Sequence, residues 1–97
     1  MIRVTRVQTR PNIDTPMFSA IIEKANYTVN TFINTGFLTI THSWSEDNLV
    51  KTSIWDWADQ SHLDEYNENS LVKANSQLES YYINNNNMTL VETVEII

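Results

Sequence analysis

Residues Gly36–Trp57, GFLTITHSWSEDNLVKTSIWDW, decide the fold of this chain. Two runs rich in β-branched and aromatic residues flank Ser45-Glu46-Asp47-Asn48, a cluster of turn formers, and that pattern is a β-hairpin. Whether the tip is Asp47-Asn48 or a four-residue turn, the register sets Trp44 against Lys51, His42 against Ser53, Ile40 against Trp55 and Leu38 against Trp57. Side chains alternate across a strand, so one face carries Leu38, Ile40, His42, Trp44, Lys51, Ser53, Trp55 and Trp57, with all three tryptophans. The other face holds Phe37, Thr39, Thr41, Ser43, Val50, Thr52, Ile54 and Asp56. It is more polar but not a plain solvated surface, and both faces call for a cover.

Upstream, Ile2 to Thr9 reads as a strand with Ile2 and Val4 on one face and Val7 on the other, which implies either a bulge or a strand buried on both sides. Pro11 ends it. Asp14 or Thr15 is placed to cap a helix from about Pro16 to Asn34, whose stripe is Phe18, Ile22, Ala25, Val29 and Phe32, widened by Ile21 and Ile33. Gly36, the only glycine, occupies the left-handed position that ends such a helix.

Downstream, Ser61 and Asp64 resemble a capping box, and Leu63, Tyr66, Leu71, Ala74, Leu78, Tyr81 and Tyr82 supply a helical stripe. Asn67-Glu68-Asn69-Ser70 is poor in helix formers, so a break or two consecutive helices is expected there. Four asparagines, Asn84–Asn87, make a helix exit, and Met88, Leu90, Val94 and Ile96 alternate with Thr89, Val91, Thr93 and Glu95 as a last strand.

The order β-α-β-β-α-β is the ferredoxin-like split motif: an α+β sandwich in which a four-stranded antiparallel sheet, its first and third strands central, is covered by two helices. The tryptophan face packs on the helices. The threonine face is left over, and a second sheet across a two-fold axis buries it, giving a homodimer.

Composition narrows the function. Ninety-seven residues make one domain, 1–97, able to bury roughly 60–65% of its unfolded surface. A net charge of −6 with only six Lys and Arg argues against nucleic acid as a partner. The absence of cysteine removes thiol chemistry, and no apolar run reaches membrane-spanning length, so a cytoplasmic protein without a membrane partner is expected.

The segment Trp57-Ala58-Asp59-Gln60-Ser61-His62-Leu63-Asp64-Glu65-Tyr66 resembles the end of strand three and the start of helix two in the dimeric α/β-barrel superfamily, in its antibiotic biosynthesis monooxygenase-like branch. The matching positions are Trp57, Asp59, Leu63 and Tyr66, and Tyr81-Tyr82 before the asparagines resembles the family's helix exit. The resemblance implies a dimer with two sheets face to face and a pocket between sheet and helices in each subunit. Its haem-degrading members use an Asn on strand one and a His inside helix two. Here Ile2–Thr9 holds no Asn and His62 sits at the helix start, so no haem, and no other cofactor, is expected.

On the tryptophan face His42 is the titratable group at the centre, either a general base or a strand histidine bonded to Ser53 or a tyrosine. Leu38, Ile40, Trp44, Trp55, Trp57 and Tyr66 either wall a ligand or fill the core. Lys51 either makes a cation–π contact with Trp44 or meets a ligand carboxylate, and Arg6, if its strand is regular, points under the helices and needs an anion from protein or ligand. No metal-ligand spacing is present. The expected activity is binding of a small apolar or amphipathic molecule, aromatic, polyketide-like or a fatty acid, with Arg6 or Lys51 taking any acid group. A cofactor-independent monooxygenase or isomerase with His42 as base, and a non-catalytic interaction module with a filled core, are the alternatives.

Overall fold

The computed structural model describes residues 1–18 and 23–97, with only the backbone of residues 23–27. The elements run β1 (Ile2–Thr9), α1 (Glu23–Asn34), β2 (Leu38–Trp44), β3 (Val50–Trp57), α2 (Gln60–Glu68), α3 (Ser70–Asn85) and β4 (Thr89–Ile96). This is an α+β chain in which one four-stranded antiparallel sheet, ordered β2-β3-β1-β4, carries three helices, an architecture consistent with a ferredoxin-like fold.

The hairpin has the register that its sequence implies, Leu38 to Trp57, Ile40 to Trp55, His42 to Ser53 and Trp44 to Lys51. Its tip is held by the Ser45 N–H on the Val50 carbonyl and the Asn48 N–H on the Ser45 carbonyl, each 3.0 Å. Asn48 takes the left-handed conformation there, with φ 59°. β1 pairs without a bulge with both β3 and β4, so it is a two-sided central strand.

Those registers stack the helix-facing side chains in four rungs. Leu38, Trp57, Ile2 and Ile96 form the first; Ile40, Trp55, Val4 and Val94 the second; His42, Ser53, Arg6 and Glu92 the third; Trp44, Lys51, Gln8 and Leu90 the fourth. The core sits on the first two rungs, where Ile2, Val4, Leu38 and Trp57 pack with Phe32 of α1 and Leu63 of α2. Phe32 meets Trp57 edge to face at 5.2 Å, and Tyr66 lies 5.1 Å from the same ring.

Two helices end in left-handed residues that satisfy their last carbonyls. Gly36 (φ 82°) lets the Phe37 N–H reach back to Phe32 and its own N–H to Ile33. Asn87 (φ 54°) does the same for α3: the Met88 N–H bonds the Ile83 carbonyl at 3.0 Å, and both side chains are buried.

Several expectations are corrected. The helix does not begin at Pro16: the Asn12 side chain accepts from Asp14 and Thr15 and closes a turn, and 16–18 is irregular. Phe18 is nevertheless buried, against Tyr82, whose hydroxyl donates to the Pro16 carbonyl. Ile21 and Ile22 lie outside the described residues, as does the Ala25 side chain.

The helix-poor tract breaks the second helical region at Asn69, as its composition implies, and the Asn69 side chain caps α3, so among the described residues three helices stand where the two-helix cover was expected. The cap of α2 is Asp59, not Ser61, because Asp59 is the extended residue whose carboxylate reaches the His62 N–H. Phe37 leaves the threonine face: it precedes β2, and after the Gly36 turn it stacks on His62 with ring centres 3.6 Å apart.

The face of α3 is rotated as well. Its inward positions are Val72, Asn75, Glu79 and Ile83, while Leu78 and Tyr81 are 39% and 73% exposed. The opposite sheet face carries Thr5, Val7, Thr41, Val50, Thr52 and Ile54 around an Arg3–Asp56 pair with two hydrogen bonds of 2.8 and 2.9 Å. At the sheet edge β4 leaves Val91, Val94 and Ile96 open.

Candidate functional site

Between the sheet and α2–α3 lies a cleft of about 640 Å³, within the range of small-molecule sites. Its sheet wall takes in Ile40 and Trp55 of the second rung, His42, Ser53, Arg6 and Glu92 of the third, and Lys51 and Gln8 of the fourth. Tyr66, Val72, Asn75 and Glu79 face it from the helices. The site therefore begins where the apolar core stops.

The third rung is polar across the whole sheet. His42 Nδ1 lies 2.8 Å from Ser53 Oγ, and desolvation, aided by the Lys51 charge, moves the imidazole below its ordinary value, so it is neutral at pH 7. Next to it, Arg6 Nε donates to Glu92 at 2.8 Å and its Nη2 donates to Glu79 of α3. Burial works against the Arg6 charge, but Glu79 and Glu92 outweigh it and hold the guanidinium above its ordinary value. Arg6 also stands 5.8 Å from the Trp55 ring. Burial, opposed by the Arg6 charge, pushes the Tyr66 hydroxyl up to about 12, so it remains a neutral phenol.

Gln8 Oε1, Trp55 Nε1 and Asn75 Oδ1, buried polar atoms of cleft residues, have no hydrogen-bond partner among the described residues. Gln8 is only 5% exposed. Such groups are costly to leave unpaired, and these come from β1, β3 and α3.

Of the residues singled out in the sequence, the fold brings Arg6, Ile40, His42, Lys51, Trp55, Trp57 and Tyr66 to this cleft. Leu38 is 1% exposed and belongs to the core below it. Trp44 lies at the hairpin end, 45% exposed, with two cations near its ring: Arg10 at 5.3 Å and Lys51 at 5.9 Å. The anion that Arg6 requires comes from the protein. Gln8, Asn75, Glu79 and Glu92 were not foreseen; only the β1–β4 register, which sets Arg6 against Glu92, carried a signal for any of them.

Among the described residues no three His, Cys, Asp or Glu side chains gather into a metal-binding group, and no helix is long and apolar enough to cross a membrane. No protein-family model matches the sequence, and no curated protein matches it.

Proposed function

We propose that this protein is a binding protein that holds a small apolar or amphipathic molecule in the cleft between its sheet and helices. The observation that supports this reading is the cleft itself, about 640 Å³ walled by Trp55 and Tyr66 over a polar rung. We also propose that the chain is a member of the dimeric α/β-barrel superfamily, a reading supported by its ferredoxin-like strand order and by the resemblance at Trp57, Asp59, Leu63 and Tyr66, and that it is a cytoplasmic homodimer joined through the face of Val7, Val50 and Ile54.

Native mass spectrometry of the purified protein tests the binding reading. A mass above that of the polypeptide, lost on denaturation, supports it. A bare polypeptide mass, together with no saturable quenching of tryptophan fluorescence across a panel of aromatic probes, overturns it in favour of the interaction module.

His42 supports a second reading, a cofactor-independent monooxygenase or isomerase. The imidazole is neutral, bonded to Ser53 and part of the cleft wall, which are the requirements of a general base. His42→Ala in that case leaves ligand binding nearly intact and abolishes turnover; equal loss of stability and binding assigns it a structural role.

A further inference from the structure

We infer that the ligand of this cleft is an apolar monocarboxylate, its acid group at the hairpin end beside Lys51 and His42 and its apolar body along Ile40, Trp55 and Tyr66. This rests on the binding function proposed above and names the ligand class.

The sequence leaves Arg6 and Lys51 as equal candidates to receive an acid group, and the fold separates them. Arg6 is closed off, because its Nε donates to Glu92 and its Nη2 to Glu79. The charged side chains of the described cleft lining are Arg6, Lys51, Glu79 and Glu92, and no carboxylate among the described residues stands within ion-pair distance of Lys51. The Lys51 ammonium lies 5.9 Å from the Trp44 ring, and a ring face attracts a cation without neutralising it. Lys51 is therefore the positive charge in that lining that remains unmatched.

Strand order makes Lys51 one end of a polarity. In the order β2-β3-β1-β4, Lys51 lies on β3 and His42 on β2, diagonal to it across the pairing, a relation that long side chains span. The Lys51 charge accordingly weighs on the His42 imidazole. Arg10, 5.3 Å from the Trp44 ring, adds a second cation at the same end. The carboxylates stand on the other side of Arg6: Glu92 is on β4, two strands or about 10 Å from β3, and Glu79 reaches Arg6 from α3. A ligand carboxylate is drawn to the hairpin side and kept from the β4 side.

The apolar part of the ligand has a wall within reach of that charge. Ile40 pairs with Trp55 on the second rung, and the Tyr66 ring lies 5.8 Å from the Trp55 ring. Lys51 and Trp55 are four residues apart on one strand, roughly 13 Å, a span that a two-ring acid and the lysine side chain cover together.

Isothermal titration calorimetry at neutral pH with naphthoate, naphthamide and naphthylmethylammonium compares negative, neutral and positive groups on one ring system. Naphthoate is expected to bind at least about tenfold more tightly than naphthamide, and the ammonium compound more weakly than either. Lys51→Met keeps an apolar stem beside Trp44 and should bring naphthoate down to the level of naphthamide. Naphthamide binding unchanged in that variant shows that its cleft is intact. Lys51→Glu should invert the order, so that the ammonium compound binds more tightly than naphthoate. Equal binding of naphthoate and naphthamide to the parent, or a preference for naphthoate that survives Lys51→Met, overturns the acid site and leaves the binding function standing. Failure of all three probes to bind removes the binding function itself.

Discussion

Arg6, on a central strand, and Glu79, on the third helix, are joined by an ion pair whose side chains are 18% and 11% exposed. It ties the helical layer to the sheet at the point where apolar packing ends. Arg6→Leu strands Glu79 and Glu92 beside each other, and the loss at neutral pH should be about 3–5 kcal/mol by urea denaturation. Replacing Arg6 and Glu79 together by leucine should cost less than Arg6→Leu alone, and a larger loss in the double variant would deny the pair its role.

The helix faces make a paired prediction. Phe32, buried edge-on against Trp57, should lose about 3–5 kcal/mol on replacement by alanine. Leu78→Ala should lie within about 0.5 kcal/mol of the parent, since that side chain is 39% exposed. Equal losses at the two positions would return α3 to the orientation its apolar residues imply.

Ile54 tests the open face. Ile54→Lys places a charge where a second sheet is proposed to lie, and analytical ultracentrifugation at micromolar concentration should shift from twice the chain mass to the chain mass. A parent protein that is monomeric at that concentration would remove the barrel assembly from the proposal.

Asp59 gives a pH signature. The His62 N–H, then the Ser61 hydroxyl and the His62 ring, hold its carboxyl at about 2 against an ordinary 3.8. A group lowered on folding contributes stability that is complete above the unfolded value and disappears as pH falls from about 3.8 through about 2. Asp59→Asn keeps a capping oxygen but cannot titrate, so thermal melts of parent and variant should converge across that window. Parallel curves would show that the carboxylate charge contributes nothing at the cap.

The hairpin register was legible because two signals agreed: a period of two in the strands and a turn cluster whose centre fixes which residues oppose. Gly36 was legible as a helix end for a similar reason, since its left-handed backbone suits one residue type best. The face of α3 was not. Reading it from Leu71, Leu78 and Tyr81 assumes that apolar side chains point inward, yet Arg6 beneath the helix requires an anion, and Glu79 rather than Leu78 takes the inward position. The cleft was half legible, through the His42–Ser53 pair on one hairpin. Its other half joins β1, β4 and α3, elements far apart in the chain whose registers no local pattern encodes.

The outermost strand has a consequence for handling the protein. β4 ends the sheet with eight residues, no proline and no lysine, and leaves Val91 exposed on one face and Val94 and Ile96 exposed on the other. An edge of this kind is a template on which further strands can grow into insoluble fibres, and Glu92 and Glu95 are the only charges within it that oppose such stacking. Glu92 is occupied with Arg6 and Glu95 stands opposite Arg3 on the other face, so Glu95 is the gatekeeper of that face: neutralising it should lower the solubility limit of the protein.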